Sequence, residues 1–204
     1  MRNIKILSIG LVLFSIGFVA NAQTEKGNFL VGGESKLNLT FLNSKLKDDD
    51  GSENGPKTTN LEFSPMVGFF VADGFAVGLE VPISYTSEKD VDDDNMKTTS
   101  MAFAPFVRYY FGSSNIKPYL HGTAGLGNLK MKFDPASGSS EETLYGMFIY
   151  QIGGGLGIFL NEKVTLDVGL AYASVSLKPK ENNNTNFRGI SGGIGIGIGI
   201  VVVL

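Results

Sequence analysis

The chain offers few of the side chains with which enzymes bind metals or attack substrates. Its 204 residues contain no Cys and a single His, His121. The lack of Cys excludes a disulfide framework, a thiolate metal site and a Cys nucleophile, and one His cannot build a His-rich zinc or di-iron site. The run His121-Gly122-Thr123 has no Ser two residues on with which a Ser–His pair could form. We therefore expect no catalytic residue, no cofactor and no metal site, and a hydrogen-bonded or interfacial role for His121.

Two acidic triplets and one Gly-rich run are the other motifs that could bind a ligand. Asp48-Asp49-Asp50 and Asp92-Asp93-Asp94 carry the hard oxygen ligands that Ca²⁺ prefers, but Leu46 stands where an EF-hand loop would begin. We favour solvated acidic loops and leave Ca²⁺ binding open. The run 189–199 lacks the Gly-Lys-Ser/Thr of a phosphate-binding loop. A pI of about 5.2 argues against nucleic acid as a partner.

Residues 1–22 have the composition of a secretory signal peptide. Arg2 and Lys5 supply the positive start, residues 6–19 are apolar, and Ala20-Asn21-Ala22 is an A-x-A cleavage site. The apolar run is shorter than the roughly 20 residues of a transmembrane helix. The sequence therefore predicts a cleaved signal peptide over 1–22 and one mature domain over 23–204.

Beyond residue 22, apolar residues alternate with small or polar ones. The clearest case is 189–202, where Ile occupies the even positions from 194 to 200 and Gly the odd positions from 193 to 199. A period of two indicates strands with two different faces. Comparable segments predict eight strands, around residues 29–41, 60–71, 75–85, 100–111, 117–133, 144–159, 163–177 and 189–202. Within 117–133 the apolar parity changes, which predicts a bulge or a phase change near Gly127.

The connections between these strands alternate in length. Short turns at 72–74, 112–116 and 160–162 alternate with longer polar loops at 43–57, 87–97, 134–142 and 178–186. The longer loops carry 20 of the 35 charged residues after residue 22. Short turns at one end and long loops at the other are typical of membrane barrels. The predicted fold is all-β: an eight-stranded antiparallel up-and-down transmembrane β-barrel.

The two faces of the strands decide between a membrane barrel and a secreted soluble barrel or sandwich. The less apolar face is mostly Gly, Ala, Ser and Thr, whereas a water-facing surface would be rich in charged residues. Small residues suit the inside of a narrow barrel, so the large apolar residues should face lipid. Aromatic residues near the strand ends then predict two girdles: Phe29, Phe69, Phe75, Phe111 and Phe159 on the turn side, and Phe41, Tyr85 and Tyr172 on the loop side.

Six charged residues fall on the inward face in this assignment: Glu34, Lys36, Glu62, Glu80, Arg108 and Asp167. Charges inside a barrel too narrow for bulk water must pair with one another. We expect them to form a structural polar network that closes the lumen to a porin-sized water path. A proton or ion path is the alternative.

With the strands placed, the chain resembles the small outer-membrane β-barrel superfamily of diderm bacteria, the eight-stranded OmpA/OmpX/OmpW-type barrels. The resemblance rests on the signal ending Ala20-Asn21-Ala22-Gln23, on Lys117-Pro118-Tyr119 at the start of strand five, and on the closing Gly-Ile repeat. It implies the outer membrane of a Gram-negative bacterium, with outer-membrane lipids and the barrel-assembly machinery as partners. Such barrels usually end in an aromatic residue, whereas this chain ends in Val203-Leu204. We expect no peptidoglycan-binding domain after strand eight.

These observations favour a non-enzymatic outer-membrane protein with a structural or surface-interaction role and long acidic extracellular loops, whose extracellular ligand is left open. The alternative is an OmpW-like small channel or carrier for hydrophobic molecules with a lateral opening. A lipid-modifying barrel enzyme is disfavoured because no Ser stands two residues after His121.

Overall fold

The structure is a computed structural model that describes residues 24–35, 42–48, 51–90, 94–180 and 188–204. All regular secondary structure in that part of the chain is β-strand. The strands are β1 (Phe29–Ser35), β2 (Leu42–Asp48), β3 (Gly51–Ala72), β4 (Phe75–Glu80), β5 (Ile83–Lys89), β6 (Asn95–Tyr110), β7 (Ile116–Asp134), β8 (Glu141–Phe159), β9 (Val164–Pro179) and β10 (Gly189–Val203). None of the described residues forms a helix that is long and apolar enough to cross a membrane.

The strands close into a ring of eight antiparallel walls. Strand β1 pairs with β10, where Leu30 faces Val203, and with β3, where Phe29 faces Phe69. Strands β4 and β5 pair in turn with β3 and β6 and form one wall, while β2 extends the pairing along β3. From β6 to β10 each strand pairs with its neighbours in sequence. The predicted eight-stranded up-and-down arrangement is therefore confirmed.

The alternation in the sequence sets the two faces of the ring. In β6, Ala104, Phe106 and Arg108 are buried on the inner face, whereas Phe103 and Val107 are exposed on the outer face. In β10 the side chains of Ile194, Ile196, Ile198 and Ile200 are exposed, and the glycines between them lie on the inner face. Such an inside-out pattern, with large apolar side chains outside, suits a surface that contacts lipid.

The tight turn between β3 and β4 shows how the turn-side end is closed. Gly74 has a φ of 74°, a conformation that L side chains rarely adopt, and a Cβ there would lie 2.7 Å from the Tyr110 carbonyl oxygen. The Gly74 carbonyl accepts a hydrogen bond from Tyr110 N at 2.8 Å, and Gly74 N donates to the Thr24 carbonyl at 2.7 Å. Glycine is therefore required at this turn, which ties residues 24–28 to the ring.

One expectation about the strands is met in part and another is wrong. Strand β7 keeps an unbroken register against β8 from Ile116 to Phe133, so the bulge near Gly127 does not form and the apolar pattern changes phase instead. The parity changes because the inner face of β7 becomes apolar toward the loop end, at Leu129 and Met131. Residues 43–57 were expected to be a loop, yet β2 and the start of β3 pair within that range. A polar composition therefore does not prevent backbone pairing there.

Smaller departures concern single residues. The predicted strand 75–85 is interrupted at residues 81–82, where Pro82 supplies no N–H donor, although the register on both sides is continuous. Phe159 was expected in the outer aromatic girdle, but it faces inward and is buried. It lies on the inward parity of β8, one residue beyond the lipid-facing series that ends at Ile158. Phe41 lies outside the described residues.

Candidate functional site

The turn-side half of the barrel interior is packed with aromatic rings that sit over pairs of glycines. Gly68 faces Gly78 across β3 and β4, and a Cβ at Gly68 would lie 2.8 Å from Phe106 Cζ. Gly155 faces Gly169 across β8 and β9, where added Cβ atoms would lie 2.9 and 2.6 Å from the Tyr119 hydroxyl. Small residues on one wall thus make room for large rings on another, which fills this half of the lumen.

Arg108 lies at the centre of this packed half and is 1% exposed. Its Nη1 donates to Asp167 Oδ2 at 2.6 Å and to the Tyr110 hydroxyl at 3.2 Å, and its Nε donates to His121 Nδ1 at 3.1 Å. The guanidinium carbon lies 4.6 Å from the centre of the Tyr119 ring. A buried charge is tolerated only with such partners, so Arg108 joins three strands, β6, β7 and β9, through one side chain.

The hydrogen bonds define the proton position on His121. Because Arg108 is always a donor, His121 Nδ1 must accept, and the ring proton must therefore sit on Nε2. Nε2 lies 3.3 Å from Glu80 Oε2 and donates to it. The Phe106 ring stacks on the imidazole with 5.3 Å between centroids. His121 is thus a neutral bridge between the ion pair of Arg108 and the carboxylate of Glu80.

The structure brings some of the predicted lumen residues together and separates others. Arg108, Asp167 and Glu80 are all buried and belong to one network, with His121 as the link. Glu34 and Glu62 are only partly buried and line cavities nearer the loop end. Lys36 lies outside the described residues.

Sequence reasoning expected a hydrogen-bonded or interfacial His121, but it did not include His121, Tyr110 or Tyr119 in the polar network. Their signal was present in the alternation, because His121 and Tyr119 share the inward parity of β7 and Tyr110 that of β6. That parity assigns a face to a residue, but it does not say which residues meet across the lumen.

The turn-side end of the lumen is closed by a second contact. Lys117 Nζ donates to Thr24 Oγ1 at 3.0 Å and lies 5.0 Å from the centre of the Phe159 ring. Gly27 N donates to the Phe70 carbonyl at 2.9 Å, so residues 24–28 are fixed across this end. The Lys117-Pro118-Tyr119 run therefore places one cation at the end of the barrel and one ring beside Arg108.

The loop-side half of the interior is open. One cavity of about 200 Å³ is lined by carboxylates, hydroxyls and an amide, from Glu34, Glu62, Glu80, Ser84, Ser100, Thr123 and Gln151 among others. A second, of about 790 Å³, is lined mainly by small and apolar residues of β9 and β10 together with Glu62. Ser84 and Ser100 are hydrogen-bonded to each other at 2.7 Å. The interior is thus closed at the turn end and hollow toward the loops.

Charged side chains on the outside of the ring meet at the loop end of β7. This strand has 19 residues, more than the roughly 9–11 that cross a bilayer, so Asp134 lies beyond the spanning part. Asp134 accepts bonds from Lys97 at 3.0 Å and Ser140 at 2.6 Å, and lies 2.8 Å from Lys132 Nζ. Hydrogen bonds from Lys132, Ser140 and Lys97 hold the pKa of the Asp134 carboxyl well below its usual range.

The acidic triplets show no metal-binding arrangement where they are described. Asp94 Oδ1 accepts a hydrogen bond from Ala136 N at 2.8 Å, and the Asp94 carbonyl accepts one from Asp90 N at 2.9 Å. Asp94 thus stabilises the loops. The described residues include no group of three or more acidic or His side chains that could hold a metal ion. Asp49, Asp50, Asp92 and Asp93 lie outside the described residues.

Comparisons with known structures give distant matches. The chain is 20% identical to neisserial surface protein A, covering 87% of this chain and 97% of that one with a TM-score of 0.42. It is 18% identical to Ail, the attachment invasion locus protein of Yersinia pestis, with coverages of 88% and 99% and a TM-score of 0.45. For OprG from Pseudomonas aeruginosa the identity is 17%, the coverages 90% and 99%, and the TM-score 0.37.

No match was found among curated protein sequences. The family model of the outer membrane protein β-barrel domain, in contrast, matches residues 9–197, which is most of the chain. That match agrees with the closed antiparallel ring, the exposed apolar face and the polar interior described above. The chain therefore belongs to the outer membrane protein β-barrel domain family.

Proposed function

We propose that this chain is a non-enzymatic outer-membrane barrel with a structural or surface-interaction role. The observation that supports the proposal is the buried network of Arg108, Asp167, His121 and Glu80, set among packed aromatic rings. A network of this kind stabilises the wall of a barrel and leaves no porin-sized water path through its turn-side half. Surface interaction would then fall to the loops, which carry much of the charge.

Single-channel recording in planar bilayers tests this proposal. The pure protein should show no frequent, stable conductance steps of the size given by a general porin measured in parallel. Eight strands enclose a lumen that side chains fill, whereas porins use about 16–18. Frequent porin-like steps from the wild-type protein would contradict the structural role.

Export and assembly form part of the same proposal. A signal peptide over 1–22 would direct export of the chain and then be removed, so that the mature protein would begin at Gln23. The barrel-assembly machinery would then insert the mature protein among outer-membrane lipids. Intact-mass measurement of protein purified from outer membranes should give the mass of residues 23–204. A protein that retains residues 1–22 would be inconsistent with this route.

The second candidate function is a small carrier for hydrophobic molecules. It is favoured by the cavity of about 790 Å³ at β9 and β10, whose lining combines small residues and Val175 with the outward-facing Leu170, Ile194 and Ile196. Saturable binding of a fluorescent hydrophobic probe, lost when Ala173 and Gly193 are both changed to Leu, would support it. Identical probe binding by that variant would count against the cavity as the binding place.

A further inference from the structure

The outer face of β6 and β7 carries three lysines close together at the loop end. Lys97 of β6 lies directly opposite Lys132 of β7. Lys130 precedes Lys132 by two residues and therefore shares its face of the strand. Cross-strand neighbours have Cβ atoms about 4.5–5.5 Å apart, and residues two positions apart in a strand are separated by about 7 Å. Three ammonium groups on long, flexible side chains can therefore converge on one anion.

The carboxylates beside these lysines balance only part of their charge. Lys97 and Lys132 share Asp134, whose Oδ2 lies 3.0 Å from Lys97 Nζ and whose Oδ1 lies 2.8 Å from Lys132 Nζ. Lys130 pairs with Glu142 at 2.7 Å, and both of these side chains are 49% exposed. These contacts place two carboxylates against three ammonium groups. Like charges directly opposite each other destabilise a sheet, so the facing pair of Lys97 and Lys132 favours a further anion beside it.

Below the lysines the same outer face becomes apolar within a few residues. The successive cross-strand pairs from the rim toward the middle of the barrel are Lys97 with Lys132, Thr99 with Lys130, Met101 with Asn128, and Phe103 with Leu126. Phe103 and Leu126 are 55% and 70% exposed. A lysine at such a boundary holds its ammonium group at the level of lipid headgroups, while the apolar residues below it lie at the level of the acyl chains.

We propose that Lys97, Lys130 and Lys132 bind the phosphate group of an outer-leaflet lipid, whose acyl chains lie against the apolar surface around Phe103 and Leu126. A phosphate monoester carries up to two negative charges and three strong acceptor oxygens, which matches the excess of cations. An ammonium group has three N–H donors, so each lysine can keep its carboxylate and still donate to a phosphate oxygen.

A lipid is favoured over a free phosphate ion because the cations lie directly above exposed apolar surface. A soluble anion would leave that surface uncovered, whereas one lipid molecule contacts both parts of it. The inference rests on the outer-membrane placement proposed above, since the loop end of the barrel must face the outer leaflet.

Native mass spectrometry of the folded mature barrel, released from micelles of a detergent without net charge, tests the site with dioleoyl phosphatidic acid as the probe. We expect one lipid retained per barrel at low lipid concentration, and at least about tenfold weaker retention of dioleoyl phosphatidylcholine. That lipid has the same acyl chains, but its choline group neutralises the phosphate. Lys97→Gln and Lys132→Gln should each weaken retention of phosphatidic acid about tenfold, because each removes a charge-assisted hydrogen bond.

Matched variants separate a local site from the general charge of the surface. Lys130→Arg keeps the cation and should bind as the wild type does. Lys26→Gln removes the same charge from an exposed position at the opposite end of the barrel and should leave retention unchanged. Asp134→Asn should strengthen retention several-fold, since its carboxylate competes with the phosphate for two ammonium groups. Glu162→Gln, in an exposed turn at the opposite end, should not.

Folding of each variant is checked by the heat-dependent gel mobility of the barrel, so that retention is compared on folded protein only. Equal retention of phosphatidylcholine, equal weakening by Lys26→Gln, or displacement of the lipid by equimolar inorganic phosphate would overturn the proposal. The first result would indicate apolar adhesion, the second bulk electrostatics, and the third a site for free anions. A folded barrel that inserts into vesicles without retaining phosphatidic acid would overturn this site alone, whereas a chain absent from outer membranes would contradict the placement proposed above.

Discussion

The two halves of the barrel interior accommodate their polar side chains in different ways. In the turn-side half, Arg108 and Asp167 are buried and paired, and aromatic rings fill the remaining space over paired glycines. In the loop-side half, Glu34 and Glu62 line open cavities beside small residues. Both halves show the same alternation and both place glycines on the inner face, so the difference lies in what faces each glycine.

This comparison teaches that glycine on the inner face has two separate uses. At Gly78 and Gly68 a Cβ would collide with the opposite strand or with Phe106. At Gly193 and Gly195 a Cβ would meet no described heavy atom within 4 Å. Gly68 and Gly78 therefore make room for packed side chains, whereas Gly193 and Gly195 keep the lumen open. Substitutions in the first pair should lower stability, and substitutions in the second pair should affect what the open half can bind.

The largest expected effect is removal of the central cation. Arg108→Met leaves Asp167 buried without its cationic partner and should lower the free energy of unfolding by about 3–5 kcal/mol. Urea unfolding in phospholipid vesicles measures it. Lys132→Met, on the outer rim, is the matched control and should change stability little. In the double variant Arg108→Met/Asp167→Leu, most of the lost stability should be recovered, because neither charge of the ion pair remains. If Arg108→Met were as stable as the wild type, the network would contribute little to stability.

A charge on either side of β10 distinguishes the outer from the inner face in the open half. Ile196→Arg places a cation on the exposed apolar face and should cost roughly 2–4 kcal/mol if the position lies near the bilayer midplane. The alternation alone suggests that Gly195→Arg overfills the lumen, but the space beside Gly195 indicates that an Arg is tolerated. Unfolding in vesicles should show Ile196→Arg to be the less stable variant. The reverse order would mean that the faces are assigned the wrong way round.

The same small substitution in both halves tests the two uses of glycine directly. In Gly78→Ala the new methyl group would collide with the Val67 carbonyl, Gly68 and Phe106, so we expect a loss of about 1–3 kcal/mol from overpacking. Gly195→Ala should be nearly neutral. Urea titrations of the two variants measure the free energy of unfolding of each. Equal losses of stability would show that glycine is needed at both positions for backbone freedom rather than for packing.

Much of the barrel could be predicted from the sequence because alternation is a local property. Period two in 100–111 and 189–202 identifies strands and their inner faces without knowledge of any partner. The rule that apolar residues mark the outer face and polar stretches mark loops failed at two places. Leu129 and Met131 are apolar although they lie on the inner face, and residues 43–57 include paired strands although they are polar.

The network itself could be predicted only in part. Inward parity selected Arg108, Asp167 and Glu80, but Arg108 and Asp167 are 59 residues apart in sequence, and their meeting depends on the register around the whole ring. His121 was missed as the link for the same reason. The height of each residue in the lumen is set by strand pairing, which single-strand patterns do not contain.

The smallest effect is expected at the outer rim, where charges are paired but exposed. The folded-state pKa of Asp134 lies below its unfolded value, so the carboxylate's contribution to stability is present above pH ~4 and is lost as the pH falls through the folded pKa. Asp134→Asn should therefore be slightly less stable than wild type near pH 7, with the gap closing in strong acid. Urea midpoints measured from pH 7 to pH 2 check this, with Glu162→Asn as a control for lost surface charge. High salt should narrow the gap at pH 7, because exposed pairs are screened, whereas the loss caused by Arg108→Met should persist. A gap at Asp134 that persists in acid or resists salt would mean that the rim behaves like the buried network.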